Sequence, residues 1–144
     1  SQGDPYKVAN LLEVALERGL IEGNEKTLNL LQQAWMQSKE IDKGTAALAR
    51  LYESHPTPSR GLRLLKLLAD SEKWEQTIEV ANSMYVLELT KKQRGKVFVL
   101  NGISQFNLGR SRQAMVTLSK AASIASSSSQ AKNWIRFIKQ MSQS

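Results

Sequence analysis

The sequence predicts an all-α protein built from successive antiparallel helix pairs. Three observations carry this: apolar residues recur every three or four positions along almost the whole chain, no alternating run of period two is long enough for a strand, and residues suited to helix ends fall where the periodicity breaks. The spacing is plain in Leu28, Leu31, Ala34 and Trp35, and again in Leu48, Leu51 and Tyr52. Helices are expected near residues 5–18, 25–39, 42–54, 58–71, 74–87, 91–108, 111–125 and 130–141.

The first helix carries Tyr6, Val8, Ala9, Leu11, Leu12, Ala15 and Leu16, and Gly19 and Gly23 mark the break behind it. The second and third hold small residues, Ala34 and Gly44, where two helices must approach closely; otherwise a helical glycine costs about 1 kcal/mol relative to alanine. Thr57 is placed to cap the fourth helix, with Pro58 at its first position, where a missing N–H costs nothing. The fifth opens on Trp74 and carries Ala81 and Met84. Thr90 with Gln93 forms a capping-box pattern before the sixth. Gly109 then separates that helix from a seventh holding Ala114, Leu118 and Ala121. Ser126 to Ser129 reads as a flexible turn. The last helix, with Trp134, Ile135 and Ile138 on one side and Lys132, Arg136, Lys139 and Gln140 elsewhere, is expected to close the final pair as a cap.

The composition excludes several classes. With 144 residues, 41% of them hydrophobic, the chain has enough for a core without staples, and it has no cysteine and one histidine, so no disulfide or zinc scaffold is available. No run approaches the roughly 18 to 20 apolar residues of a membrane span, and the first 25 residues are acidic and amphipathic rather than signal-like. The net charge of +7 is a gradient: residues 1–72 hold 9 Lys/Arg against 10 Asp/Glu, and residues 73–144 hold 11 against 3. Beyond Glu88 there is no acidic residue, while Lys91, Lys92, Arg94, Lys96, Arg110, Arg112, Lys120, Lys132, Arg136 and Lys139 follow. Such asymmetry favours an anionic partner.

The pairs repeat. The second helix of each begins at Ile41, Trp74 and Ser111, spacings of 33 and 37 residues. Leu28, Leu31, Ala34, Trp35, Ile41, Gly44, Leu48, Leu51 and Pro56 resemble the tetratricopeptide repeat pattern, whose period is about 34. Phe98, Gly102, Leu108, Gly109, Ala114, Leu118 and Ala121 resemble it again, with Asn101 where leucine is usual. The middle copy retains Leu64, Leu65, Leu68, Trp74, Ala81 and Met84 and is degenerate. The resemblance implies a single domain over residues 1–144, a right-handed α-α superhelix. It comprises an incomplete repeat at 5–18, repeats at 25–56, 58–87 and 91–125, and a capping helix at 130–141. The unpaired first helix and the leading serine are read as signs of a carboxy-terminal piece of a longer protein. Self-association through the exposed Val8, Leu11, Leu12 and Ala15 of that edge is expected.

Catalysis has no visible machinery. His55 precedes Pro56 at a helix end without a partner cysteine or paired carboxylate, and there is no phosphate loop, metal-ligand spacing or nucleophile elbow. No enzyme activity, metal or cofactor is expected. Trp35, Trp74 and Trp134 read as packing residues.

The resemblance implies instead a concave groove lined by the first helix of each pair. Carried over, its offsets fall on Lys26, Asn29, Gln33, Met36 and Gln37, then on Leu62, Arg63 and Lys66, and last on Lys96, Val99, Ile103 and Phe106. Amides bond a peptide backbone in both directions, and the cations attract carboxylates. Asn29 and Gln33 stand where the carboxylate-clamp subset of the family has lysine and asparagine, which argues against a chaperone-tail adaptor.

More narrowly, residues 27–48, 103–114 and 131–138 resemble periplasmic tetratricopeptide proteins associated with TonB energy-transduction systems of Gram-negative bacteria. That implies an exported, noncatalytic scaffold contacting TonB components, with a cytoplasmic location as the alternative. The competing reading is polyanion binding, to nucleic acid or anionic lipid, through the basic carboxy-terminal half. It lacks exposed aromatics among the basic residues, since Phe98, Phe106 and Phe137 all read as lying on apolar faces.

Overall fold

A computed structural model describes residues 3–143. Among these it holds the helices α1 (Pro5–Glu17), α2 (Glu25–Gln37), α3 (Ile41–Ser54), α4 (Pro58–Asp70), α5 (Trp74–Met84), α6 (Lys91–Asn107), α7 (Ser111–Ala122) and α8 (Ala125–Ser142), and no strand. The expected second-helix starts at Ile41, Trp74 and Ser111 are the observed ones.

The turns within the three pairs are near copies of one another. Lys39, Glu72 and Gly109 have φ of 62°, 57° and 78°, in the left-handed region that ends a helix. In each case the next residue reaches back to close the turn: the amides of Glu40, Lys73 and Arg110 donate to the carbonyls of Trp35, Leu68 and Gln105 at 2.9–3.0 Å. Those same three residues have φ, ψ of −89°, 74°; −89°, 72°; and −96°, 61°, and their carbonyls accept the first bonds of α3, α5 and α7. Residues 33 and 37 apart therefore make the same turn. The capping predictions also hold: Thr57 Oγ1 accepts from the Arg60 amide at 3.2 Å, and Thr90 and Gln93 form a complete capping box.

One expected turn is absent. The serine run begins α8, because Ser127 Oγ donates to the Ala121 carbonyl at 2.7 Å and the side chain is buried. Gly95 of α6 faces Ser127, whose Cβ lies 3.0 Å from where a glycine Cβ would stand. A short side chain is needed at Ser127 because α6 and α8 touch there, and the run is helical rather than a turn.

The chain groups into two compact units, Ser1–Arg60 and Gly61–Ser144. In the first, α2 packs between α1 and α3 around Ala9, Leu31, Ala34, Trp35 and Ala47. Leu12 and Leu16 pack on this core, while Val8 and Leu11 are exposed. Trp35 is 2% exposed, meets Tyr6 edge-on at 5.7 Å and donates its indole N–H to Glu13 Oε1 at 3.1 Å. Arg50 pairs with the same carboxylate at 3.5 Å. Arg60 pairs with Glu25 at 2.8 Å.

In the second unit, α6 packs against α5, α7 and α8. One cluster joins Val99, Ala121 and Ala131 with Phe98 and Ile103, and another joins Ala114, Leu118 and Ile138 with Phe106, Trp134 and Ile135. Tyr85 stacks on Phe98 at 5.1 Å, and its hydroxyl accepts from Asn101 Nδ2 at 2.9 Å. Asn101 Oδ1 and Gln105 Oε1 are buried with no hydrogen-bond partner. Asn101 thus takes the leucine position of the repeat in order to hold Tyr85.

Candidate functional site

The first helix of the first pair presents a polar stripe. Asn24 caps α2 by accepting from the Thr27 amide at 2.9 Å, which fixes how the helix begins. From there Lys26, Asn29, Gln33 and Gln37 follow at spacings of three and four, so they share one face, while Leu28, Leu31, Ala34 and Trp35 turn inward. Lys26, Gln33 and Gln37 are exposed and Asn29 is half-buried. Asn29 Oδ1 already accepts from Gln32 Nε2 at 3.0 Å, so its acceptor half is engaged within the helix.

Met36 departs from the groove assignment. It is half-buried, and its Sδ lies 2.7 Å from where a Cβ on Gly44 would be. Its thioether fills the space the glycine leaves, so it belongs to the α2–α3 joint.

In the second unit, Arg63 and Lys66 are exposed on one face of α4, and Lys66 Nζ lies 3.4 Å from Asp70 Oδ2. Lys96 is exposed on α6. Val99, Ile103 and Phe106, three further groove offsets, are instead drawn into the contacts with α7 and α8. The physical reason is the serine start of α8, which lets that helix lie closely along α6.

His55 and Tyr85 are held by contacts within the fold. His55 ends α3, its ring within 3.0 Å of Ser54 Oγ and its carbonyl accepting from Arg60 at 3.0 Å. No group of three or more His, Cys, Asp or Glu that could hold a metal ion occurs among the described residues. Burial pushes the Tyr85 hydroxyl above its ordinary value of 10.0, against the opposing pull of the Asn101 hydrogen bond and the Arg94 charge. No helix among the described residues is long and apolar enough to cross a membrane.

The sequence reading missed one surface. Phe137, assigned to an apolar face, is 44% exposed, and with Trp134 and Asn133 it lines an open hollow at the carboxy-terminal end. Trp134, Phe137 and Met141 share one stripe by spacing, but Ile138, four residues after Trp134, borders the same stripe, so the period does not separate the exposed ring from the buried chain.

Comparison with known proteins bears on the fold. No protein-family model and no curated protein matches the chain. Among solved structures, the chain is similar to one described as MamA from AMB-1, a protein containing tetratricopeptide repeats, with a TM-score of 0.60 and 21% sequence identity. The similarity covers 81% of this chain and 62% of that one, so the chain spans less than two thirds of the structure it matches. Together with the recurring turns, this places the protein in the tetratricopeptide-like α-α class of helical folds.

Proposed function

We propose that the chain is a non-enzymatic scaffold that binds a peptide or partner protein along the first helices of its pairs. The observation that carries this reading is the stripe of Lys26, Asn29, Gln33 and Gln37. It is a row of amides and one cation, exposed at Lys26, Gln33 and Gln37 and half-buried at Asn29, on a helix whose opposite face is committed to the core. Such a row offers hydrogen bonds to an extended backbone without demanding a particular side chain. Arg63, Lys66 and Lys96 add positive charge on the corresponding helices of the later pairs and favour a partner carrying carboxylates.

The finer reading names the partner as a component of a TonB energy-transduction system and the compartment as the periplasm. It rests on the sequence resemblance of residues 27–48, 103–114 and 131–138.

Two titrations test these levels separately. The combined variant Asn29→Ala, Gln33→Ala, Lys66→Ala is expected to lose partner affinity at least about tenfold. Unchanged binding would remove the first-helix assignment. Titration of the chain with a purified TonB periplasmic domain decides the finer reading, and absence of binding there rejects TonB while leaving the scaffold reading to the first experiment.

A further inference from the structure

The hollow at the end of the second unit is a corner of crossed aromatic rings. Phe106 of α6 meets Trp134 and Phe137 of α8 with centroids 6.2 and 5.8 Å away and planes at 60° and 77°, and Trp134 meets Phe137 at 5.8 Å and 90°. Asn133, Trp134 and Phe137 line a space of about 270 Å³ open to solvent. Pockets that enclose whole small molecules run from about 300 to 1,000 Å³, so this one suits a single side chain. Phe137 and Met141, 44% and 55% exposed, extend its apolar surface along α8.

The rim is basic. Arg136 donates to Asn133 Oδ1 at 3.1 Å, which holds its guanidinium beside the residue that lines the hollow. Lys132 and Lys139 lie on the far side of α8 from the aromatic stripe, so of the three cations of α8 Arg136 is the one held at the hollow, and no acidic residue occurs in the chain beyond Glu88. An apolar anchor point with a guanidinium at its edge matches the anatomy of an interface hot spot, in which an aromatic contact supplies affinity and a charge at the rim selects a partner carrying a carboxylate.

We propose that this corner is a second docking site, separate from the α2 stripe, which takes one bulky apolar side chain of an acidic peptide segment. The ring geometry favours this over a single-stranded nucleic acid. Successive bases stack on parallel faces, whereas rings crossed at 60° to 90° wall off a corner and offer no ladder.

The experiment is selection of a phage-displayed random peptide library against the chain, with the recovered peptides titrated against variants. The expected peptides carry one Trp, Phe, Leu or Met flanked by Asp or Glu. Phe137→Ala is expected to weaken them at least about tenfold while the chain stays folded, with a thermal midpoint only a few degrees lower because that ring is nearly half exposed. Arg136→Gln is expected to weaken them less and to reduce the salt dependence. The variant Asn29→Ala, Gln33→Ala, Lys66→Ala should bind them unchanged, which separates this site from the first-helix faces. Failure to recover such peptides, equal binding by Phe137→Ala, or loss only in the Asn29/Gln33/Lys66 variant would each overturn the proposal. So would oligo(dT) binding, or concentration-dependent dimerisation in sedimentation, that disappears with Phe137→Ala, since the corner would then belong to nucleic acid or to a second copy.

Discussion

Gly102 of α6 lies directly against Leu118 of α7: a Cβ at position 102 would stand 2.6 Å from the leucine Cγ. Both residues are buried, so the two helices touch through bare backbone on one side and a branched side chain on the other. Gly102→Ala gains about 1 kcal/mol of helix propensity but forces a core leucine aside, and overpacking costs about 1–3 kcal/mol. Net destabilisation is expected in chemical denaturation. Gly44→Ala is the control, because the atoms it meets belong to Met36, a flexible and half-buried side chain that has somewhere to go. If the two variants lose equal stability, the close approach at Gly102 is not what the glycine serves.

Trp35 depends on Glu13 for its one polar group. With the indole 2% exposed, Glu13→Ala leaves a buried N–H unsatisfied and is expected to cost about 1–3 kcal/mol. Glu13→Gln keeps an oxygen acceptor in place and should cost distinctly less, the remainder reflecting the partly exposed pair with Arg50. Urea titrations of the two variants check this, and equal losses would assign the effect to charge rather than to the hydrogen bond.

Much of this architecture was legible because it rests on local chemistry. Thr90 and Gln93, Thr57 and Pro58, Gly109, and the helix starts at Ile41, Trp74 and Ser111 are each fixed by neighbours a few residues away. The failures are long-range. Nothing near Ser127 announces that Gly95, thirty-two residues earlier, will face it, so a serine run read as a flexible turn is a helix start. The same contact explains why Val99, Ile103 and Phe106 read as groove offsets but pack inward. Met36 likewise satisfies a groove spacing and is claimed by Gly44. Phe137 sits one residue from buried Ile138 on an amphipathic helix, where period alone does not decide which apolar residue turns out.

Lys39 and Glu72 adopt the left-handed conformation that Gly109 adopts in the equivalent turn. For a residue with a Cβ this costs about 1–2 kcal/mol, partly offset in a glycine variant by the greater freedom of its unfolded chain. Lys39→Gly and Glu72→Gly are therefore each expected to stabilise by about 0.5–1 kcal/mol, and Gly109→Ala to destabilise by a similar amount. Thermal midpoints should move by a few degrees in the corresponding directions. Lower midpoints for both glycine variants would mean that the lysine and glutamate side chains contribute more than the strain removes.

Tyr85 gives the fold a pH dependence at the alkaline end. Its hydroxyl is raised above 10.0 chiefly by burial, so the folded state holds the phenolic proton more tightly than the unfolded chain does. The resulting stability is fully present below pH 10 and is lost as pH rises through the higher folded value, because the phenolate must then be accommodated among buried groups. Tyr85→Phe keeps every other ionisable group, so the difference between the two proteins isolates the phenol. The stability of the native chain relative to that variant should be level up to about pH 10 and fall above it. Urea unfolding of both proteins across pH 8 to 11 reads the difference directly. A difference that stays level throughout would mean that the phenolate is reached by solvent, or that the Asn101 donor and the Arg94 charge outweigh burial.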